Sequence, residues 1–169
     1  AELTLRDVGN FGGEVREKVE LYLRNGGFLG SLNHDTYDKE ENVSIAVGFR
    51  MLLRAAELLD RQEIRDFAFH LLKRLERFEL KEDLNGCATA GLLYMEDSWT
   101  TCYIWENAEA ALAYIEAYEA TGEKLYLEKA RTILLACAKH HYGEYGFLTE
   151  GVDWQNSVGK QHHIEDKEF

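Results

Sequence analysis

Three polar stretches of this sequence combine carboxylates with indole or imidazole groups: Asn33, His34 and Asp35; then Glu96, Asp97 and Trp99; then Glu150, Asp153 and Trp154. Side chains of these types suit a polyhydroxylated ring. An indole face stacks on the C–H surface of a pyranose, a carboxylate accepts hydroxyl hydrogen bonds, and two carboxyls can divide acid and base roles across a glycosidic bond. The plainer alternative is that the acids cap helices and the Trp residues fill the core beneath loops. Trp105-Glu106-Asn107 adds a fourth group at the start of an apolar helical run, where Glu106 would project inward, and Glu41 stands in the same place in an earlier run. Both are also explained as first-turn acids meeting the helix dipole, an effect of about 0.3–1 kcal/mol.

Proton abstraction would need a base that titrates near neutrality, for which His34, His140 and His141 are the candidates. His34, beside Asp35, heads the three, because His140 and His141 fall at a helix C-terminus where a cation is stabilised anyway. His162 and His163, with Glu165 and Asp166, could chelate a transition metal, yet they read as a solvated tail without preorganised geometry. No metal and no cofactor is expected. Cys87, Cys102 and Cys137 lack CxxC spacing and lie among apolar residues, as small buried hydrophobes do. Neither a phosphate-binding glycine loop nor a nucleophile elbow is present. The net charge of −12 repels nucleic acid and anionic membranes, and the absence of an apolar leader with the odd cysteine count points to the cytoplasm. Ala1 in place of Met leaves open a processed or excised chain.

The elements that must hold these groups are helices. Proline, the commonest helix breaker, is absent from all 169 residues. Apolar spacing marks a first helix from Gly13 to Asn25, stopped by Gly26-Gly27, and a second that Asn42 caps and that runs to Leu59. A third runs from Ile64 to Phe78 and completes a hairpin. Asp97-Ser98 or Thr100-Thr101 would cap the next helix, broken at Thr121-Gly122, and Tyr126 to His141 forms its partner. From about residue 143 the chain reads as mostly irregular.

Self-similarity at 50 to 65 residues signals stacked hairpins. Gly27-Phe28-Leu29, Gly91-Leu92-Leu93 and Gly146-Phe147-Leu148 each read as a helix exit in which Gly turns left-handed and two apolar residues re-enter the core. A second register match, at an offset of 65, aligns the seven residues from Glu41-Asn42 with the seven from Glu106-Asn107.

The stretch from Trp105 through Leu112, continuing through Tyr118-Glu119-Ala120-Thr121-Gly122-Glu123-Lys124 and Tyr126-Leu127-Glu128-Lys129-Ala130 to Tyr145-Gly146-Phe147-Leu148, resembles hairpins of the six-hairpin glycosidase superfamily. It looks most like the N-acylglucosamine 2-epimerase-like and thioredoxin-linked glycosidase-like branches. The resemblance implies inner and outer helices in an α/α toroid, with a sugar cleft built from loops at one end of the inner helices. A closed toroid takes six hairpins, and two complete ones with a preceding helix are counted here.

The expectation is therefore an all-α single domain over 1–169, made of repeated helical hairpins as a partial, about half, α/α toroid that forms a homodimer or belongs to a longer chain. Its job would be to process a small sugar or an oligosaccharide, as a glycoside hydrolase or sugar isomerase if it is an enzyme. Asp97, Glu106, Glu150, Asp153 and His34 would do the chemistry, and Trp99, Trp105, Trp154 and Asp35 would bind the substrate. The rival is a non-catalytic helical-repeat scaffold that binds a basic protein segment.

Overall fold

The computed structural model describes residues 40–84, 88–96, 100–142, 146 and 148–153. The helix expected from Gly13 to Asn25 lies outside them. Four α-helices form two hairpins: α1 (Asn42–Leu59) with α2 (Gln62–Arg74), and α3 (Ile104–Thr121) with α4 (Lys124–His140). A 3-10 turn at Leu75–Phe78 extends α2, so the third helix ends where the sequence placed it, in a tighter coil. α1 and α3 pack side by side and α2 and α4 flank them, which makes α1 and α3 the inner pair.

The 65-residue repeat is real in three dimensions. Glu41, Asn42, Ile45, Ala46, Gly48 and Phe49 are buried, and so are their counterparts Glu106, Asn107, Ala110, Ala111, Ala113 and Tyr114; Val47 and Leu112 are exposed at equivalent places. Both helices thus turn the same face to the core. Phe49 meets Phe69 of α2 edge-on at 5.3 Å, and Tyr114 stacks on Tyr126 of α4 at 6.2 Å, so each inner helix is tied to its outer partner by an aromatic pair. Between the inner helices Arg50 pairs with Glu116 at 2.8 Å and with Glu109.

The sequence reading needs three amendments here. Asn42 is not a cap: Glu41 holds the cap position of α1 without a side-chain cap bond, and Asn42 is the first helical residue. Thr100 and Thr101 do not cap α3 either, because Thr101 to Tyr103 form a strand, β1, that runs straight into it; Asp97 and Ser98 lie outside the described residues. β1 pairs antiparallel with β2 (Gly151–Asp153), so part of the tail read as irregular is a strand, and a small sheet joins the helices. The period-3.6 signal could not reveal a three-residue strand made by distant pairing.

Of the Gly-aliphatic exits, Gly91-Leu92-Leu93 behaves as expected inside the core but not in origin. Gly91 has φ +91° and Leu92 and Leu93 are fully buried, yet the segment follows a loop rather than a helix end. It runs against the end of the first hairpin, with Leu80 N–H donating to Leu92 O at 2.8 Å and Tyr94 N–H to Phe78 O at 3.2 Å. Leu148, by contrast, is half exposed and does not re-enter the core.

Candidate functional site

The N-terminal ends of both inner helices converge on one surface, and backbone pairing brings them there. In the β1–β2 sheet Thr101 faces Asp153, Cys102 faces Val152 and Tyr103 faces Gly151, with Cys102 and Val152 turned into the core. Ile104 N–H, at the start of α3, donates to Glu150 O at 2.9 Å. Met95 N–H donates to Thr101 O at 3.0 Å, and Asn42 N–H to Met95 O at 3.0 Å. Met95, the Thr101–Ile104 segment and the Glu150–Asp153 segment are thus drawn together over the starts of α1 and α3.

Two repeat-related asparagines hold this arrangement. Asn107 Oδ1 accepts from Leu93 N–H at 2.7 Å, while its Nδ2 donates to Leu93 O at 2.9 Å and to Tyr103 O at 2.8 Å. The side chain imitates a β-ladder partner for Leu93 and satisfies backbone groups that no water reaches. Asn42 Nδ2 donates to Tyr94 O at 2.7 Å, one residue farther along the same segment. The repeat exposed this pair in the sequence; their role could not be read there, because the partners are 14 and 52 residues away.

The carboxyl that precedes each asparagine shares that buried place. Glu106 is 1% exposed and Glu41 is 4% exposed, and Glu106 Oε2 and Glu41 Oε1 have no hydrogen-bond partner. Burial pushes the Glu106 carboxyl up to about 8; the Glu41 charge pushes it the same way, and a hydrogen bond from Asn42 pulls it back. Glu40, adjacent in sequence, is different in kind, because Arg74 and Arg77 pair with it.

Of the residues selected from sequence, the structure brings together Trp105, Glu106, Glu150 and the backbone of Asp153. Trp105 is 52% exposed, so it presents an indole face to solvent instead of filling the core. Glu150 is exposed beside the α3 start. Glu96 is fully buried and so does not line an open surface. His34, Asp35, Asp97, Trp99 and Trp154 lie outside the described residues, as do Asn33, Cys87, His162, His163, Glu165 and Asp166.

His140 and His141 are buried at the end of α4 and are not solvated there. His140 is 2% exposed with Nε2 donating to Ala90 O at 3.0 Å, and His141 is fully buried with Nδ1 donating to Thr149 O at 3.0 Å. A carbonyl can only accept, so each ring carries its proton on the bonded nitrogen. Burial lowers the His141 pKa, with the Thr149 bond raising it and the neighbouring His140 lowering it. The pair anchors the 89–90 and 148–149 segments to the end of α4. Cys102 and Cys137 are buried free thiols, and burial holds the Cys137 thiol up at about 11. Among the described residues no three His, Cys, Asp or Glu side chains are grouped to hold a metal ion. None of the described helices is long and apolar enough to cross a membrane.

A groove of about 870 Å³ lies elsewhere, along the middle and C-terminal half of α1 against the end of α3. Met51, Leu58 and Val47 form its apolar wall, and Arg54, Glu57 and Glu119 edge it.

No protein-family model and no curated protein sequence matches the chain. Solved structures do match its fold. A sugar epimerase from a ruminal bacterium superposes with a TM-score of 0.56 at 18% identity, over 76% of this chain and 32% of that one. A GH76 α-mannanase of Bacteroides thetaiotaomicron gives 0.59 at 13% identity, over 71% and 33%. An α-amylase from Clostridium perfringens gives 0.52 at 16% identity, over 74% and 34%. The chain spans about a third of the length of these structures. It has the helical-hairpin fold of the six-hairpin, α/α-toroid proteins.

Proposed function

We propose that the chain is a carbohydrate-processing protein of the α/α-toroid type, with its sugar lying across the N-terminal ends of α1 and α3. The observation that supports this most is the β1–β2 pairing, which sets the backbone of Gly151–Asp153 beside Thr101–Tyr103, just ahead of the exposed Trp105. In this reading Trp105, with Trp99 and Trp154, stacks on pyranose faces, and Asp35 accepts hydroxyl hydrogen bonds. Asp97, Glu150 and Asp153 supply the loop carboxylates, Glu106 is an acid that keeps its proton at neutral pH, and His34 is the base if the reaction is an epimerisation. Glycoside hydrolysis would use two of the carboxyls as acid and base. All three solved neighbours bear names of carbohydrate enzymes, which supports the substrate class and does not choose between reactions.

The test replaces Asp97 and Asp153 by Asn and follows turnover of a panel of glycosides and free sugars. Loss of turnover by about 100-fold or more in either variant is the expected result for a group engaged in proton transfer. Full activity in both removes these two residues from the chemistry.

The groove along α1 supports a second reading, a non-catalytic scaffold that docks a protein segment, because an apolar wall with a charged edge is what such a segment needs. A saturable rise in melting temperature with a simple sugar favours the first reading through ligand linkage. No shift across a broad sugar panel favours the second.

A further inference from the structure

The two repeat-related carboxyls at the inner-helix starts sit in a setting that lacks hydrogen-bond donors. Glu41 Oε2 accepts from Ser44 Oγ at 3.2 Å, but Glu41 Oε1, Asn42 Oδ1 and Glu106 Oε2 have no partner, and all three residues are more than nine-tenths buried. Asn42 Nδ2 donates to Tyr94 O at 2.7 Å and Asn107 Nδ2 to Leu93 O at 2.9 Å, so the two helix starts that carry these carboxyls meet at adjacent residues of one segment. The oxygens left over are acceptors only if both glutamates are ionised. Two like charges would then lie away from water, each with one oxygen that nothing donates to.

The nearby cations are committed elsewhere. Arg74 at the end of α2 and Arg77 in the 3-10 turn pair with Glu40, and Arg50 farther along α1 pairs with Glu109 and Glu116. On the 93–96 segment the titratable groups are Tyr94, whose hydroxyl donates to Arg77 O, and Glu96, which is buried with a contact of its own; β1 carries Cys102, which is buried, and Tyr103, and next to β2 stands Glu150, which is exposed. Of the charged groups on these surrounding elements, Glu41 is the one that acts on Glu106.

We propose that Glu41 is a positioning residue for Glu106: the two carboxyls hold one proton between them, which supplies the missing O–H donor and leaves a single negative charge at the paired helix N-termini. The helix dipoles favour that remaining anion, whereas a second charge would be uncompensated. The raised pKa of Glu106 agrees with this arrangement. The proposal rests on the functional reading above only in giving the held proton a use; the pair itself is tested without substrate.

The experiment titrates the glutamate side-chain carboxyls by carbon-13 NMR in the full chain, with Glu41→Gln and Glu106→Gln as variants. The expected result is one glutamate that stays protonated to about pH 8 in the unaltered protein. It disappears in E106Q and titrates lower by roughly one unit or more in E41Q, because the like charge is gone. An unchanged Glu106 midpoint in E41Q overturns the proposal and leaves Glu106 raised by burial alone. If E41Q fails to fold, the unaltered protein still decides: one glutamate with a raised midpoint is expected, and an ordinary low midpoint for every glutamate overturns it. Magnesium or calcium chloride is added as a control; collapse of the high midpoint on addition would make the cluster a cation site and would also overturn it. Absence of sugar turnover with an intact titrating pair would sink the functional reading and not the pair.

Discussion

At the scale of single residues, Glu106 departs far from surface chemistry, because burial favours its protonated form. Glu106 has a folded pKa of about 8 against an ordinary value of 4.5, so folding is favoured most below the unfolded pKa and that stability is lost as pH rises through the folded one. Between pH 6 and pH 9 the unaltered protein is expected to lose about 2–3 kcal/mol more than E106Q, which carries no ionisable group there. Urea denaturation of both proteins at the two pH values checks this, and parallel losses would contradict it. Asn107 is the other residue with an outsized role. Asn107→Ala removes three hydrogen bonds and leaves the buried N–H and C=O of Leu93 without partners, so a loss of about 3 kcal/mol is expected in the same assay. Asn107→Asp tests the donor half alone, since it keeps the acceptor for Leu93 N–H and loses both donations.

At the scale of elements, two glycines separate backbone strain from crowding. Both have positive φ, Gly91 at +91° in the loop that feeds the core and Gly122 at +75° between α3 and α4. A Cβ on Gly91 would stand 2.9 Å from Ala136 Cβ, whereas one on Gly122 would meet nothing within 4 Å. Gly122→Ala should therefore cost about 1 kcal/mol for the left-handed backbone alone. Gly91→Ala should cost more, roughly 2–4 kcal/mol, because α4 must also shift away from the loop. Thermal melts of the two variants compare them directly; equal shifts would mean that α4 gives way freely. The hairpins themselves rest on features visible in the chain, such as the basic last turns of α2 and α4, which complement the helix dipole.

At the scale of the whole molecule, the chain corresponds to about a third of a toroid in length and leaves apolar residues uncovered at its sides. Met51 and Leu58 on α1, and Leu134 and Leu135 on α4, are 45–69% exposed. Exposed apolar side chains of that kind on an inner and an outer helix are suited to join further hairpins, from a second copy or from more of the same chain. Light scattering on the chain is expected to return a dimer or larger mass. A monodisperse monomer would mean that these faces need no partner, and would move the functional reading toward the scaffold.

Helix positions, the hairpin order and the 65-residue repeat were legible in the sequence, because burying one face of a helix writes a 3.6-residue period into the chain and repeating the hairpin writes it twice. Glu41-Asn42 and Glu106-Asn107 stood out for that reason alone. What those pairs do was decided by contacts between distant segments. A leucine backbone 14 residues away turned Asn107 into a ladder partner, and the approach of α1 to α3 buried two acids at the helix starts, Glu41 at a cap position and Glu106 in a first turn. The sheet that draws Glu150 and Asp153 toward Trp105 is likewise invisible locally, since a three-residue strand exists only through its partner. Periodicity belongs to the chain, but burial, pairing and proton affinity depend on what the fold places next to each residue, and only the tertiary structure sets that.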